Sequence, residues 1–162
     1  MNKKHIYTID LVLIVGTLLA SLIITSYATP LVIYPVDDLK TNENLILFSF
    51  EKGETILIDD NLGFTSPEKI YAENNLVINL KPGVYYWKIE GILDSEIRKL
   101  TIESEIDLRI IDENDSYSII NAGNIPLNVS VYDKFDKLNE TFILDVNEKK
   151  SAENEKYIGR EK

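Results

Sequence analysis

The fold turns on residues 80–91, LKPGVYYWKIEG, where three aromatic rings in a row stand just behind a Pro-Gly pair. The third ring, Trp87, is the only tryptophan in the chain. Side chains on a β-strand alternate between its two faces. Tyr85, Trp87 and Ile89 therefore share one face, and Tyr86, Lys88 and Glu90 share the other. The first set is apolar or aromatic throughout, whereas the second suits water. We read the first set as core, each ring burying roughly 150–250 Å², and not as a ligand platform. Pro82 and Gly83 supply the turn into the strand, with glycine free to adopt φ > 0. The Tyr85 hydroxyl is placed to hydrogen-bond back across that turn.

The same period of two extends in both directions. Ile46, Phe48 and Phe50 alternate with Leu47 and Ser49, and Ile56 and Ile58 alternate with Leu57 and Asp59. Leu76, Ile78 and Leu80 follow, then Leu100 and Ile102. Each run is short and bounded by turn residues: EKGE, DDNLG, ENN, KPG, GILDS. Short alternating strands at this spacing predict an antiparallel sandwich or barrel. A second series begins at Ile106, Leu108 and Ile110 and runs through SYSII, Leu127, Val129 and Val131 to Phe142, Leu144 and Val146. The seam near Glu103, Ser104 and Glu105 leaves almost no linker. We therefore expect an all-β exterior of two small β-sandwich modules, at 30–104 and 105–162. Phe48, Phe50, Leu80, Tyr85, Trp87 and Ile89 are the expected core of the first.

Ahead of the strands lies a segment of a different kind. Residues 11–28, LVLIVGTLLASLIITSYA, carry no charge and follow Lys3 and Lys4. A helix at about 9–28 is long enough to approach a full membrane span of about 20 residues. Tyr7 and Tyr27 flank it, where amphipathic rings favour the lipid–water interface. After Lys4 the next basic residue is Lys40, so the excess of positive charge lies on the N-terminal side. That asymmetry predicts a cytoplasmic N-terminus and an extracellular remainder, with the membrane itself as one partner. Ser26, Tyr27 and Ala28 also offer the small residues that a signal peptidase reads. Residues 1–29 are thus a retained anchor or a signal cleaved near Ala28 to release a secreted protein. The length of the apolar run favours the anchor.

Here the sequence resembles a known family. LVINLKPGVYYWKIEG, with NLILFSFEKG upstream, resembles a fibronectin type III module over roughly residues 30–104. Phe50 stands where that family usually has a tryptophan, and the corner tyrosine follows Pro-Gly one residue early. YSIINAGNIPLNVSVYD resembles the strand-turn-strand of small immunoglobulin-like modules in surface proteins, the CARDB-type domains among them. Asn121, Ala122, Gly123 and Asn124 read mechanically as a tight hairpin. The resemblance implies an immunoglobulin-like β-sandwich fold and carries no catalytic residues.

Composition narrows the function classes. Seventeen basic against 27 acidic residues give a net charge of −10, which repels phosphate backbones, so no nucleic-acid partner is expected. There is no cysteine, which removes disulfides, thiolate metal ligands and thiol catalysis together. The single histidine, His5, precedes the apolar run, so no Ser-His-Asp arrangement can form beyond it. No enzyme activity, no cofactor and no metal are expected. Asp112, Glu113 and Asp115 come nearest to a calcium loop but lack its glycine turn and distal glutamate. Three Asn-x-Ser/Thr sequons, at Asn114, Asn128 and Asn139, make glycosylation chemically available on an exported chain.

The expected function is that of a non-enzymatic cell-surface or secreted protein. It is read as a membrane-tethered module for adhesion, binding or spacing at the cell envelope, facing another surface protein or a glycan. Two alternatives stand beside it: a structural subunit of a larger envelope assembly, and an accessory domain of a carbohydrate-active or peptidase system.

Overall fold

The computed structural model describes residues 3–113, 116–153 and 155–162. It is mostly β, behind one apolar N-terminal helix. Helix α1 (Lys3–Ala28) begins six residues before the expected 9, because nothing in His5 to Thr8 breaks a helix. It stops at Ala28, two residues ahead of Pro30, whose ring disfavours helical geometry in the residue before it. The Thr17, Ser21 and Thr25 hydroxyls donate to the carbonyls of Leu13, Leu18 and Leu22 at 2.9, 2.8 and 3.0 Å, so the helix meets their hydrogen-bonding needs internally.

The strands that follow fall into two compact units, each built from separated segments of chain. One takes Met1–Asp37, Leu47–Leu76 and Tyr86–Lys99; the other takes Asp38–Ile46, Val77–Tyr85 and Leu100–Lys162. In the first unit β1 (Leu31–Tyr34) pairs antiparallel with β3 (Leu45–Glu51), Val32 facing Phe50. Strand β4 (Thr55–Asp59) lies between β5 (Glu68–Tyr71) and β7 (Gly83–Glu90), antiparallel to both. The core of this unit gathers Val32, Phe48, Phe50, Ile56, Ile58, Trp87 and Ile89, all buried. Phe48 meets Trp87 edge to face, with ring centroids 4.9 Å apart and planes at 89°, which locks one sheet against the other. Strand β4 is buried along its whole length, although its sequence alternates. Leu57 sits between Lys69 and Lys88 in the ladder, and lysine stems cover apolar surface while their charges stay in water.

In the second unit β2 (Leu39–Thr41) runs parallel to β8 (Arg98–Ile102), Leu39 facing Leu100. This departs from the expected antiparallel order. After β1 the chain turns at Pro35 to Asp38, with Asp38 at φ 54°, and β2 then lies beside β8 in the same direction. Strand β6 (Asn75–Asn79) leads into Leu80, which is buried and whose N–H donates to the Asn44 carbonyl at 2.8 Å. The C-terminal part is a sandwich of two three-stranded sheets. One has β10 (Ser116–Asn121) between β13 (Lys149–Ala152) and β9 (Leu108–Glu113); the other has β11 (Leu127–Tyr132) between β12 (Leu138–Leu144) and β14 (Lys156–Glu161). Ile119, Ile125, Leu127, Val129 and Leu144 fill the space between them.

Candidate interaction surfaces

The aromatic strand β7 directs its rings to packing. Trp87 and Ile89 are buried, and Tyr86 is half-buried on the opposite face, level with Asp59. Tyr85 is only half-buried, short of the full core position expected of it, because its hydroxyl reaches out to donate to the Lys81 carbonyl at 2.9 Å. That bond closes the turn through Pro82 and Gly83. Gly83 does not use positive φ there; no glycine among the described residues does. A Cβ at Gly83 would meet the Tyr85 ring at 3.5 Å, an ordinary packing distance.

The Asn-Ala-Gly-Asn stretch is not the hairpin expected. Strands β10 and β11 belong to different sheets, and residues 122–126 carry the chain from one to the other. A crossing loop brings backbone polar groups inside the sandwich, and these need partners. Asn121, fully buried, supplies them: its amide nitrogen donates to the carbonyls of Ile125 at 2.8 Å and Leu144 at 3.0 Å, and its amide oxygen accepts from Gly123 N–H at 3.1 Å. Asn124 accepts from Glu105 N–H at 2.7 Å and donates to the carbonyls of Asn42 at 2.6 Å and Glu103 at 2.8 Å. Gly123 is required by close approach, since a Cβ there would lie 2.2 Å from the Glu105 carbonyl oxygen. Every asparagine bond here is internal, so the motif is a structural tie and offers nothing to a ligand.

Two exposed loops are each organised by one carboxylate, Asp59 in the first and Asp133 in the second. Asp59 accepts from Asn61 N–H at 3.0 Å and from Ser66 N–H at 2.9 Å, while Gly63 N–H donates to the Asn61 amide oxygen at 2.8 Å. The loop so fixed displays Leu62 and holds Phe64 under Lys88, whose ammonium lies 5.2 Å from the ring. Asp133 accepts from Phe135 and Lys137 N–H groups at 2.8 and 3.0 Å, which presents Phe135 at a hairpin tip with 79% of its surface open to water.

The Ser66 N–H bond to Asp59 is the largest influence holding its carboxyl below the ordinary carboxylate range, against a smaller opposing effect of burial. A depressed folded value means that the loop is fully supported above the unfolded value of about 3.9 and loses that support as pH falls through the folded value. We expect Asp59→Asn to melt below the wild type at pH 6 and the two melting curves to converge below about pH 4. A gap that stays constant down to pH 3 would assign the difference to something other than this carboxylate.

The sequons and acidic residues are spread along the second unit. Asn128 is exposed on β11, and Asn139 is exposed on β12 with its amide nitrogen 2.8 Å from a Glu155 carboxylate oxygen. Asn114 and Asp115 lie outside the described residues. Asp112 is exposed at the end of β9. Among the described residues no three His, Asp or Glu side chains gather in a way that would hold a metal ion.

The remaining feature is the junction between helix and sandwich, within the first unit. The Ala28 carbonyl, one of the acceptors a helix end leaves open, takes the Leu93 N–H at 3.2 Å. Pro30 is buried, close to Gly53 and Gly91, where added Cβ atoms would meet its ring at 3.5 and 2.9 Å. Lys52 stands 5.2 Å from the centre of the Tyr27 ring. Beside the junction is an open depression of about 730 Å³ with Lys52, Glu54, Glu73 and Glu90 on its rim. Read as sequence, GILDS is a turn. The available signal was Ile92-Leu93, two adjacent aliphatics where turn chemistry calls for polar residues.

No family model and no curated protein matches the chain. Among solved structures, one similar chain comes from a chaperone–tip adhesin complex in CFA/I fimbriae biogenesis. It is 17% identical, with 80% of this chain and 88% of that one covered, at a TM-score of 0.22. Another is the class 5 fimbriae chaperone CfaA, 15% identical, with 78% and 83% covered, at a TM-score of 0.21. At such TM-scores neither likeness carries an argument about this chain.

Proposed function

We propose that this chain is a non-enzymatic, membrane-tethered β-sandwich protein that binds or spaces another surface component at the cell envelope. Lys3 and Lys4 lie on the cytoplasmic side, and two sandwich modules, 30–104 and 105–162, lie outside. The observation that carries this reading is the join between α1 and the first sandwich. Tyr7–Thr25 has a mean hydropathy of 2.2 and no buried residue, so a solvent of lipid suits it better than water. The Thr17, Ser21 and Thr25 hydroxyls are satisfied within the helix, as a hydrocarbon surrounding demands. The chain then enters the fold at Pro30 without a flexible linker, and Leu93 hydrogen-bonds to the helix end. Such a join supports a retained anchor over a leader that is discarded.

Two further features support an independent binding or spacing module. The lone histidine belongs to α1, which leaves the sandwiches without a general base of that type. The edge strands β5 and β13 carry Glu68, Lys69, Lys149 and Lys150, charges that discourage docking by strand addition. The second partner is a surface protein or glycan, and the exposed Asn128 and Asn139 are sites for glycans of the protein's own.

The test is topological. Protease added to intact cells is expected to remove a C-terminal tag while a tag ahead of Lys3 survives until the membrane is opened. Protection of the C-terminal tag on intact cells would end this reading.

A further inference from the structure

We infer that the loop of residues 91–94 is a second membrane contact, seated in the lipid headgroup layer beside the anchor. The inference rests on the reading of α1 as a retained membrane span. The argument begins with length. The apolar span ends at Thr25 and the helix at Ala28, three residues on, or about 4.5 Å along the axis. A bilayer of about 40–45 Å with a hydrocarbon core of about 30 Å leaves a headgroup layer of about 5–8 Å on each side. Ala28 therefore lies inside that layer. Leu93, whose N–H is 3.2 Å from the Ala28 carbonyl oxygen, is held in the same layer.

What the loop presents there is apolar. Ile92 is 89% exposed, Leu93 is 44% exposed, and Tyr27 and Leu31 on either side of the junction are 80% and 54% exposed. In water this would be an unfavourable collection of side chains at a turn. At the boundary of acyl chains and headgroups, aliphatic and tyrosine side chains are favoured. The loop is also rigidly placed. Ser95 is buried, its hydroxyl accepts from Ile89 N–H at 2.9 Å, and its own N–H donates to the Ile89 carbonyl at 2.9 Å. Asp94 pairs with Lys88 at 2.5 Å.

The charges nearby choose the kind of lipid. Glu54, Glu73 and Glu90 rim the adjacent depression against Lys52, and Lys69 pairs with Glu90 at 3.3 Å. The rim is net acidic, so the surface fits a zwitterionic interface and not an anionic one. Two contacts with one bilayer, helix and loop, would fix the orientation of the first unit above the membrane.

Because the chain has no cysteine, a single introduced one can be labelled alone. The full chain with Ile92→Cys, carrying an environment-sensitive fluorophore, would be reconstituted in phosphatidylcholine vesicles. Leu18→Cys reports the anchor. Leu62→Cys is the aqueous reference, because its loop follows Asp59, at the end of β4 away from Thr55 and the junction. The label at 92 is expected to emit at shorter wavelength than that at 62, to lose intensity to shallow spin-labelled lipid, and to resist aqueous iodide. If the label at 18 is quenched by lipid while that at 92 behaves like that at 62, the loop contact is wrong and the anchor stands. If the label at 18 is itself open to iodide, the anchor reading fails and the inference fails with it.

Discussion

Trp87→Ala is expected to destabilise the first unit by about 3–5 kcal/mol, the cost of removing a large buried aromatic and leaving a cavity. Against a total of about 5–15 kcal/mol for a typical domain, that is at least about a fifth of the stability. The reason is the position of the ring. Trp87 is 1% exposed and its edge-to-face contact with Phe48 joins strands of two sheets, so the alanine variant loses contacts on both sides of the core. A second substitution separates ring volume from indole chemistry. The Trp87 Nε1–H is buried and meets no acceptor among the described residues, so the indole carries a desolvation cost that no hydrogen bond among them offsets. Trp87→Phe keeps a ring against Phe48 and removes that cost, and we expect it to retain most of the wild-type stability. Thermal melting of the two variants beside the wild type is the measurement. An alanine variant that melts like the wild type would place Trp87 outside the core and revive a surface role for the aromatic strand.

How much of this was legible follows from which interactions are local in sequence. The period of two at Ile46, Phe48 and Phe50 states which side of β3 faces inward, because alternation is a property of the strand itself; all three are buried. The apolar run behind Lys3 and Lys4 states a helix for the same reason. What sequence could not state is pairing. The parallel match of Leu39 to Leu100 joins residues sixty-one positions apart, and nothing in Leu-Lys-Thr distinguishes a parallel partner from an antiparallel one. The Asn-Ala-Gly-Asn stretch misleads for a related reason. Glycine and asparagine suit both a tight hairpin and a close backbone crossing, and only the positions of Glu105 and Asp107 tell them apart. The junction was hidden in the same way. Ile92 and Leu93 acquire meaning only when Ala28, sixty-five residues before Leu93, is found beside them.

Asn121 offers the sharpest test of the second unit. Its side chain is fully buried and makes three hydrogen bonds, two as donor to Ile125 and Leu144 carbonyls and one as acceptor from Gly123 N–H. Its backbone is held as well, N–H to the Glu148 carbonyl at 3.2 Å and carbonyl to Asn147 N–H at 2.9 Å. Asn121→Leu matches the size but takes the side-chain partner from two carbonyls and an N–H inside the sandwich. With about 1 kcal/mol net for each bond lost, and more for a buried group left unsatisfied, we expect a loss of about 2–4 kcal/mol. Asn121→Asp should be worse at neutral pH, because it points a buried negative charge at two carbonyl oxygens. Both the burial and the carbonyls favour the protonated acid, so the folded-state value for the introduced carboxyl rises above its unfolded value of about 3.9. The penalty is then absent below the unfolded value and grows as pH rises towards the folded value. The aspartate variant should therefore gain stability relative to Asn121→Leu as the solution is acidified, and overtake it near pH 4, where the protonated carboxyl can donate one of the two lost bonds. Parallel melting curves for the two variants across that range would show that the crossing loop does not depend on the donors of Asn121.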